Sequence, residues 1–169
     1  TLAHALAHRG YPLLADDICA VDAPADGPAT VHPGFPHSKL WPDSLAHFAL
    51  DAEAEALPKV RPELPKRFVP AGERYHAAPA PVGRLYILGR HNLPEITIVP
   101  LKGPARFAMI RRHTYRLHVL NGLGQRPTHF LHGTRLAAYP LSLVRYPEKP
   151  IQINALCDAL EADFARDAD

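Results

Sequence analysis

Nineteen prolines in a chain of 169 residues restrict this sequence to short elements. Proline lacks a backbone donor and clashes with the preceding helical turn, so it is confined to first turns of helices, strand ends and sheet edges. Here the prolines gather between Pro58 and Pro81 and at the ends of apolar runs. The middle of the chain is therefore expected to be a long extended excursion rather than a second domain. The periodic segments on either side are expected to build one domain with a sizeable core.

The totals exclude several classes. A formal net charge of +2 is too small to argue for nucleic acid or a membrane surface as partner. No apolar run approaches the ~20 residues of a membrane-spanning helix, and no signal peptide pattern is visible. Cys19 and Cys157 show neither a Cys-x-x-Cys nor a Cys/His metal spacing, which suggests a reducing compartment and a cytoplasmic location. His4 and His8 are spaced i, i+4 as zinc-binding pairs can be. The residues between them are Ala5, Leu6 and Ala7, so the glutamate base of a hydrolytic zinc helix is missing. No Gly-x-Ser-x-Gly nucleophile turn occurs.

Leu2–Arg9 reads as a helix of strong helix formers, with Gly10 as its stop. Tyr11–Asp17, "YPLLADD", reads as a short apolar strand ending in two adjacent carboxylates. Aspartates delivered to the exit of a strand can hold Mg²⁺ or take a proton from a hydroxyl; the same residues also suit a solvated Asp-Asp turn. No strand or cap precedes the opening helix, and the reading expects an upstream strand and loop before Thr1.

Ile18–Asp22 is β-like, Asp26-Gly27 is a turn, and Thr30–His32 begins a returning strand. Pro33–Asp43, "PGFPHSKLWPD", is too proline-rich for regular structure and is expected as a rigid loop carrying Lys39 and Trp41. Ser44–Leu50 is a short helix capped by Ser44 or Asp43. "RFVP" adds a short strand. Arg84–Leu88 and Glu95–Leu101 are two strands joined by a turn. A helix starts near Pro104 and runs to the Gly122-Leu123-Gly124 break, with Phe107, Ile110, Thr114 and Leu117 on one side. On the opposite side Arg112 and Arg116 stand i, i+4. Like charges at that spacing repel, so they meet a phosphate or an acceptor carboxylate, or else a solvated face or the acidic last helix. Pro127–Ala137 is a helix and Ala138–Tyr146 a strand with Pro140 at its start or at a sheet edge. Gln152–Arg166 closes the chain as a helix with an Ile153, Leu156, Leu160, Phe164 stripe.

The runs "TLAHALAHRGYPLLADDICAVD", "VHPGFPHSKLWPDSL", "RLYIL" and "MIRRHTYR" resemble the short bacterial serine kinases related to HPr kinase. The resemblance extends from Thr1 to about Phe164. It implies an α/β fold: a mixed β-sheet with flanking helices around a phosphoenolpyruvate carboxykinase/HPr kinase-like nucleotide-binding core. It implies ATP and Mg²⁺, and a peptide or protein acceptor carrying a serine hydroxyl. Asp16 and Asp17 would act as acid/base and metal-assisting residues, and Lys39, Arg112 and Arg116 would hold phosphate or acceptor. In that family a Gly-x-x-x-x-Gly-Lys-Ser/Thr loop precedes the first helix, so Thr1 would be the nucleotide-binding residue just after it. The loop does not occur in this sequence, and the reading places it upstream of Thr1. HPr kinases assemble, and an exposed sheet edge would permit a homo-oligomer. The alternative from another class is a non-catalytic peptide- or protein-binding module retaining the kinase fold.

Overall fold

A computed structural model describes residues 1–148 and 152–166. The chain is mixed α/β, with several small sheets and flanking helices, and divides into two compact units. The first comprises Thr1–Ala20 and His32–Pro79; the second comprises Val21–Val31 and Ala80–Asp169.

In the first unit, helix α1 spans Leu2–His8. It ends in a Schellman turn: Tyr11 N–H donates to Leu6 O at 3.1 Å and Gly10 N–H to Ala7 O at 3.3 Å. Gly10 has φ +99°, a conformation that a side chain disfavours, which explains why the helix stops there. The expected strand over Tyr11–Asp17 does not form. Only Leu13 pairs, in a single parallel bridge to Tyr75. Pro12 has no N–H to continue a ladder, and Leu13 is instead drawn inward, 5% exposed, against Ala7 and Ala71.

A second correction concerns Pro33–Asp43. Its centre is strand β3, His37–Leu40, paired antiparallel with β4, Arg67–Pro70, in the register His37↔Pro70 to Leu40↔Arg67. The prolines flank β3 rather than interrupt it, so its four residues alternate and bury Ser38 and Leu40. Helix α2, Pro42–His47, begins two residues before the expected Ser44. Pro42 takes its first turn, and the Trp41 carbonyl accepts from Ser44 and Leu45 N–H, both at 2.9 Å. Neither Ser44 nor Asp43 caps the helix by a side-chain bond. Leu40, Leu45 and Val69 form a core with Phe48 and Leu57 around them. Full burial of each leucine contributes about 1.5–3 kcal/mol.

In the second unit, apart from the strand-end residues Ala20 and His32, β1 (Ala20–Asp22), β2 (Thr30–His32) and β5 (Ala80–Pro81) make a small sheet in the order β1-β2-β5. Ala23, Ala29 and Val82 are buried beside it. The main sheet comprises β6 (Leu85–His91), β7 (Thr97–Pro100) and β8 (Leu141–Pro147). The two strands expected as neighbours are not paired: the order is β6-β8-β7, with β8 parallel to β6 and antiparallel to β7. The late strand takes the centre because it has the most buried apolar face, with Leu141 and Val144 at 1% and 0% exposure. Pro140 sits just before it, where no ladder donor is needed.

Helices α3 (Pro104–Arg112), α4 (Val119–Gly122) and α5 (Arg126–Leu136) follow β7, and α6 (Ile153–Ala165) ends the described chain. The helix expected to continue from Pro104 to Gly122 stops at Arg112. The Thr114 hydroxyl donates to Ile110 O at 2.9 Å, taking the acceptor its own N–H would use in a continuing helix. Arg116 then adopts φ +49°. Arg112 and Arg116 therefore do not share a helix face. On α6, Ile153, Leu156, Cys157 and Leu160 are buried: three of the four residues of the expected stripe with Cys157 added, while Phe164 is half-buried. Among the described residues, no helix is long and apolar enough to cross a membrane.

Candidate functional site

Asp16 and Asp17 reach their positions through contacts within the first unit. Leu13 is fixed on both sides, its N–H donating to Arg74 O at 2.7 Å and its carbonyl accepting from His76 N–H at 2.9 Å. Gly34 N–H then donates to Leu14 O at 2.8 Å. A Cβ at Gly34 would lie 3.2 Å from the Ala15 Cβ, so glycine allows the Pro33–Pro36 loop to lie directly on the segment carrying the two acids. Tyr75 holds that loop from the other side, its hydroxyl donating to Gly34 O at 2.6 Å.

The two carboxylates converge on one lysine. Lys39 N–H donates to Asp16 Oδ2 at 2.8 Å, and Lys39 Nζ donates to Asp17 Oδ2 at 2.9 Å. Asp16 thus satisfies a donor of β3, whose two-stranded sheet leaves it a free edge. The Asp17–Lys39 pair is accessible, with the side chains 46% and 26% exposed. Partial burial pushes the Asp17 carboxyl up. The Lys39 hydrogen bond and the charges of Lys66 and Lys39 outweigh this and hold it below its ordinary value, so Asp17 is ionised at neutral pH. Lys66 also lies over the Trp41 ring, 5.7 Å from its centroid.

Thr1 joins this cluster. Its hydroxyl is hydrogen-bonded to the Ser44 hydroxyl at 2.7 Å, and its main-chain nitrogen lies within the electrostatic reach of Asp16, Asp17 and Lys66. Beneath it, His4 is 4% exposed; its Nδ1 is hydrogen-bonded to the buried Ser38 hydroxyl at 3.2 Å, while Nε2 is buried without a partner among the described residues. Burial, and after it the charge of His8, lowers His4 to about 4. It is therefore a neutral residue, its ring set 4.7 Å from those of His8 and Phe48.

The structure thus gathers Thr1, Asp16, Asp17 and Lys39 in the first unit. Arg112 and Arg116 belong to the second unit: Arg112 ends α3, and the Arg116 guanidinium lies over the Tyr115 ring at 5.1 Å. Sequence reasoning missed Lys66, which falls in the proline-rich excursion between Pro58 and Pro81, and Ser44, read as a cap. The i, i+4 spacing of His4 and His8 did flag that pair, but His4 is buried and the exposed His8 ring packs on His4 and Phe48, which points to packing. Among the described residues, no three or more His, Cys, Asp or Glu side chains gather as a metal-binding group. An Mg²⁺ site does not need such a group, since one or two carboxylates with substrate phosphates and water suffice; Asp16 and Asp17 are carboxylates of that kind, each with one oxygen bonded to Lys39. No family model, curated protein or solved structure matches the chain.

Proposed function

We infer that this protein is an ATP-dependent serine kinase acting on a hydroxyl of a peptide or protein, with Asp16 and Asp17 at its chemical centre. The observation that supports this reading is the convergence of two adjacent carboxylates, one of them ionised and accessible, on Lys39. Phosphoryl transfer asks little covalent chemistry of a protein; it needs a base or orienting group for the hydroxyl and cations for the phosphates. One aspartate accepts the hydroxyl proton, while the other helps hold Mg²⁺, which when bound supplies charge neutralisation to the donor phosphates. Lys39 and Lys66 are the cations this unit offers to phosphate. Thr1 is the residue that the kinase resemblance assigns to the nucleotide.

The test is phosphate transfer from ATP·Mg²⁺ to serine-containing peptides by the full natural protein, read by mass spectrometry. Asp16→Asn or Asp17→Asn is expected to lower kcat by about 100-fold or more. Lys39→Ala is expected to act chiefly on KM. Wild-type turnover in both aspartate variants would refute the assignment.

A second reading, a non-catalytic peptide- or protein-binding module, draws on one specific feature. Asp16 and Asp17 are both already engaged inside the chain, and the Lys39 ammonium stands where a cation would sit on Asp17. Calorimetry separates the two: a binder gives no heat with ATP·Mg²⁺, whereas the kinase does.

A further inference from the structure

From Ile96 to Pro147 the chain contains no Asp or Glu but eight Lys or Arg, a segregation hidden by the net charge of +2. This stretch includes α3, α4 and α5. Those helices are unusual in a second way: α3 has no buried residue, and on α5 only Gly133 is buried. Phe107 and Phe130 meet edge to face at 5.2 Å, an approach that Gly133 permits, since a Cβ there would come within 3.0 Å of the Phe107 ring. Beside them opens a cleft of about 610 Å³ with apolar walls from Phe107, Leu117, Leu120 and Phe130. Phe130, Leu123 and Tyr115 are each more than half exposed, a set of apolar side chains that a folded domain normally covers.

The cations at this cleft are not used internally. Arg106 is bonded to the carbonyls of Leu101 and Ala137, and Arg135 to that of Ala23. Arg111 and Arg126 line the cleft and are exposed, and their guanidiniums have no hydrogen-bond or ion-pair partner among the described residues. Among the described residues no carboxylate lines it; the contact of His132 Nδ1 with Asp22 Oδ1, at 3.8 Å, involves neither arginine. Two free guanidiniums at an apolar well ask for an occupant that is both anionic and apolar. Carboxylates are recognised by arginine's planar fork, and an aromatic or branched side chain fills a well of this size. Nucleic acid fits less well, because backbone phosphates call for a cationic groove rather than an apolar hollow.

We propose that the α3–α4–α5 cleft docks an acidic peptide segment, an aromatic or aliphatic side chain entering between Phe107, Leu120 and Phe130 while carboxylates meet Arg111 and Arg126. This binding stands apart from phosphoryl transfer and requires neither ATP nor the aspartate pair. It explains why the basic stretch carries no compensating acids: an internal carboxylate would compete for the same guanidiniums.

Fluorescence anisotropy on the full chain without nucleotide tests it. The probe is a labelled peptide of about twelve residues with several Asp and Glu around one Phe and one Leu, a length that spans such a cleft. Saturable binding is expected, weakening with added salt. Replacing the acids by Gln, or the Phe and Leu by Ser, should each weaken it by about tenfold or more. Arg111→Glu with Arg126→Glu should weaken it by roughly thirtyfold, whereas Arg111→Lys with Arg126→Lys, which keeps the charge, should stay within about threefold. Circular dichroism of each variant confirms that it is folded. The proposal is overturned if the peptide does not bind saturably, if the Gln peptide binds as well as the acidic one, or if the charge reversal leaves affinity unchanged. It is likewise overturned if a single-stranded oligonucleotide binds more tightly than the peptide, or if sedimentation shows a dimer that the charge reversal dissociates, which would make a second copy the occupant.

Discussion

Asp163→Asn is the most informative single change for the second unit. The Asp163 carboxylate fastens α6 to β6. It accepts from Arg84 Nη1 and, at 2.6 Å, from the Tyr86 hydroxyl, and the side chains of Asp163 and Arg84 are only 15% and 16% exposed. Arg166 adds a contact at 3.2 Å, but with 69% exposure it contributes little. Partial burial opposes the charged carboxyl; the Tyr86 and Arg84 hydrogen bonds outweigh it and hold Asp163 below its ordinary value. The same arrangement pushes Tyr86 up to about 12, burial first and the Asp163 bond second, so its hydroxyl remains a donor at neutral pH. Hydrogen bonds to a charged partner contribute about 1.5–3 kcal/mol each, and a neutral amide retains part of one. The variant is therefore expected to lose about 2–3 kcal/mol, since Arg84 no longer faces a charged carboxylate. Native-state hydrogen exchange reads this locally, as faster exchange in peptides covering Leu85–His91 and Ile153–Ala165. The sign with pH follows from the depressed carboxyl: its stabilisation is present above the ordinary value of 3.8 and is lost as pH falls through the lower folded value. The gap between wild type and variant should thus close on acidification. A loss below about 0.5 kcal/mol at pH 7, within the range of ordinary surface changes, or a gap unchanged by acid, refutes the reasoning.

The first unit should respond to acid through His4 as well. A histidine lowered from 6.5 to about 4 binds its proton in the unfolded chain first, so stability falls as pH drops from 6.5 towards 4 and levels off below. The loss is expected to be about 1–3 kcal/mol, and urea titrations of His4→Phe should show a flatter profile there. Leu45→Ala removes a side chain that is 2% exposed in the Leu40–Val69 core; a loss of about 2–5 kcal/mol is expected in the urea midpoint, and a loss under about 1 kcal/mol would mean that the core can collapse around the gap.

The sequence was most legible where one stretch determines its own conformation. Gly10 ends α1, Pro104 opens α3, and the Ile153, Leu156, Leu160 spacing lays one face of α6 inward, because proline, glycine and helical period act over a few residues. Thr114 ended a helix early by a bond to Ile110, four residues away, a signal present in the sequence but outvoted there by apolar periodicity. The candidate site was half legible. Two adjacent aspartates and a lysine in a rigid segment were visible as residue types, but their meeting was not.

By itself, then, the sequence determined the short elements, their punctuation and the supply of acids and cations. Tertiary structure alone decided that β8, last in the chain, lies between β6 and β7, since that depends on which strand has the most apolar surface to bury once all three exist. It alone turned an expected strand at Tyr11–Asp17 into a single bridge at Leu13, and brought Asp16 onto the main-chain nitrogen of Lys39, 23 residues on. Contacts of that separation depend on the loop closure and burial of the whole unit, and no local preference of the residues encodes them.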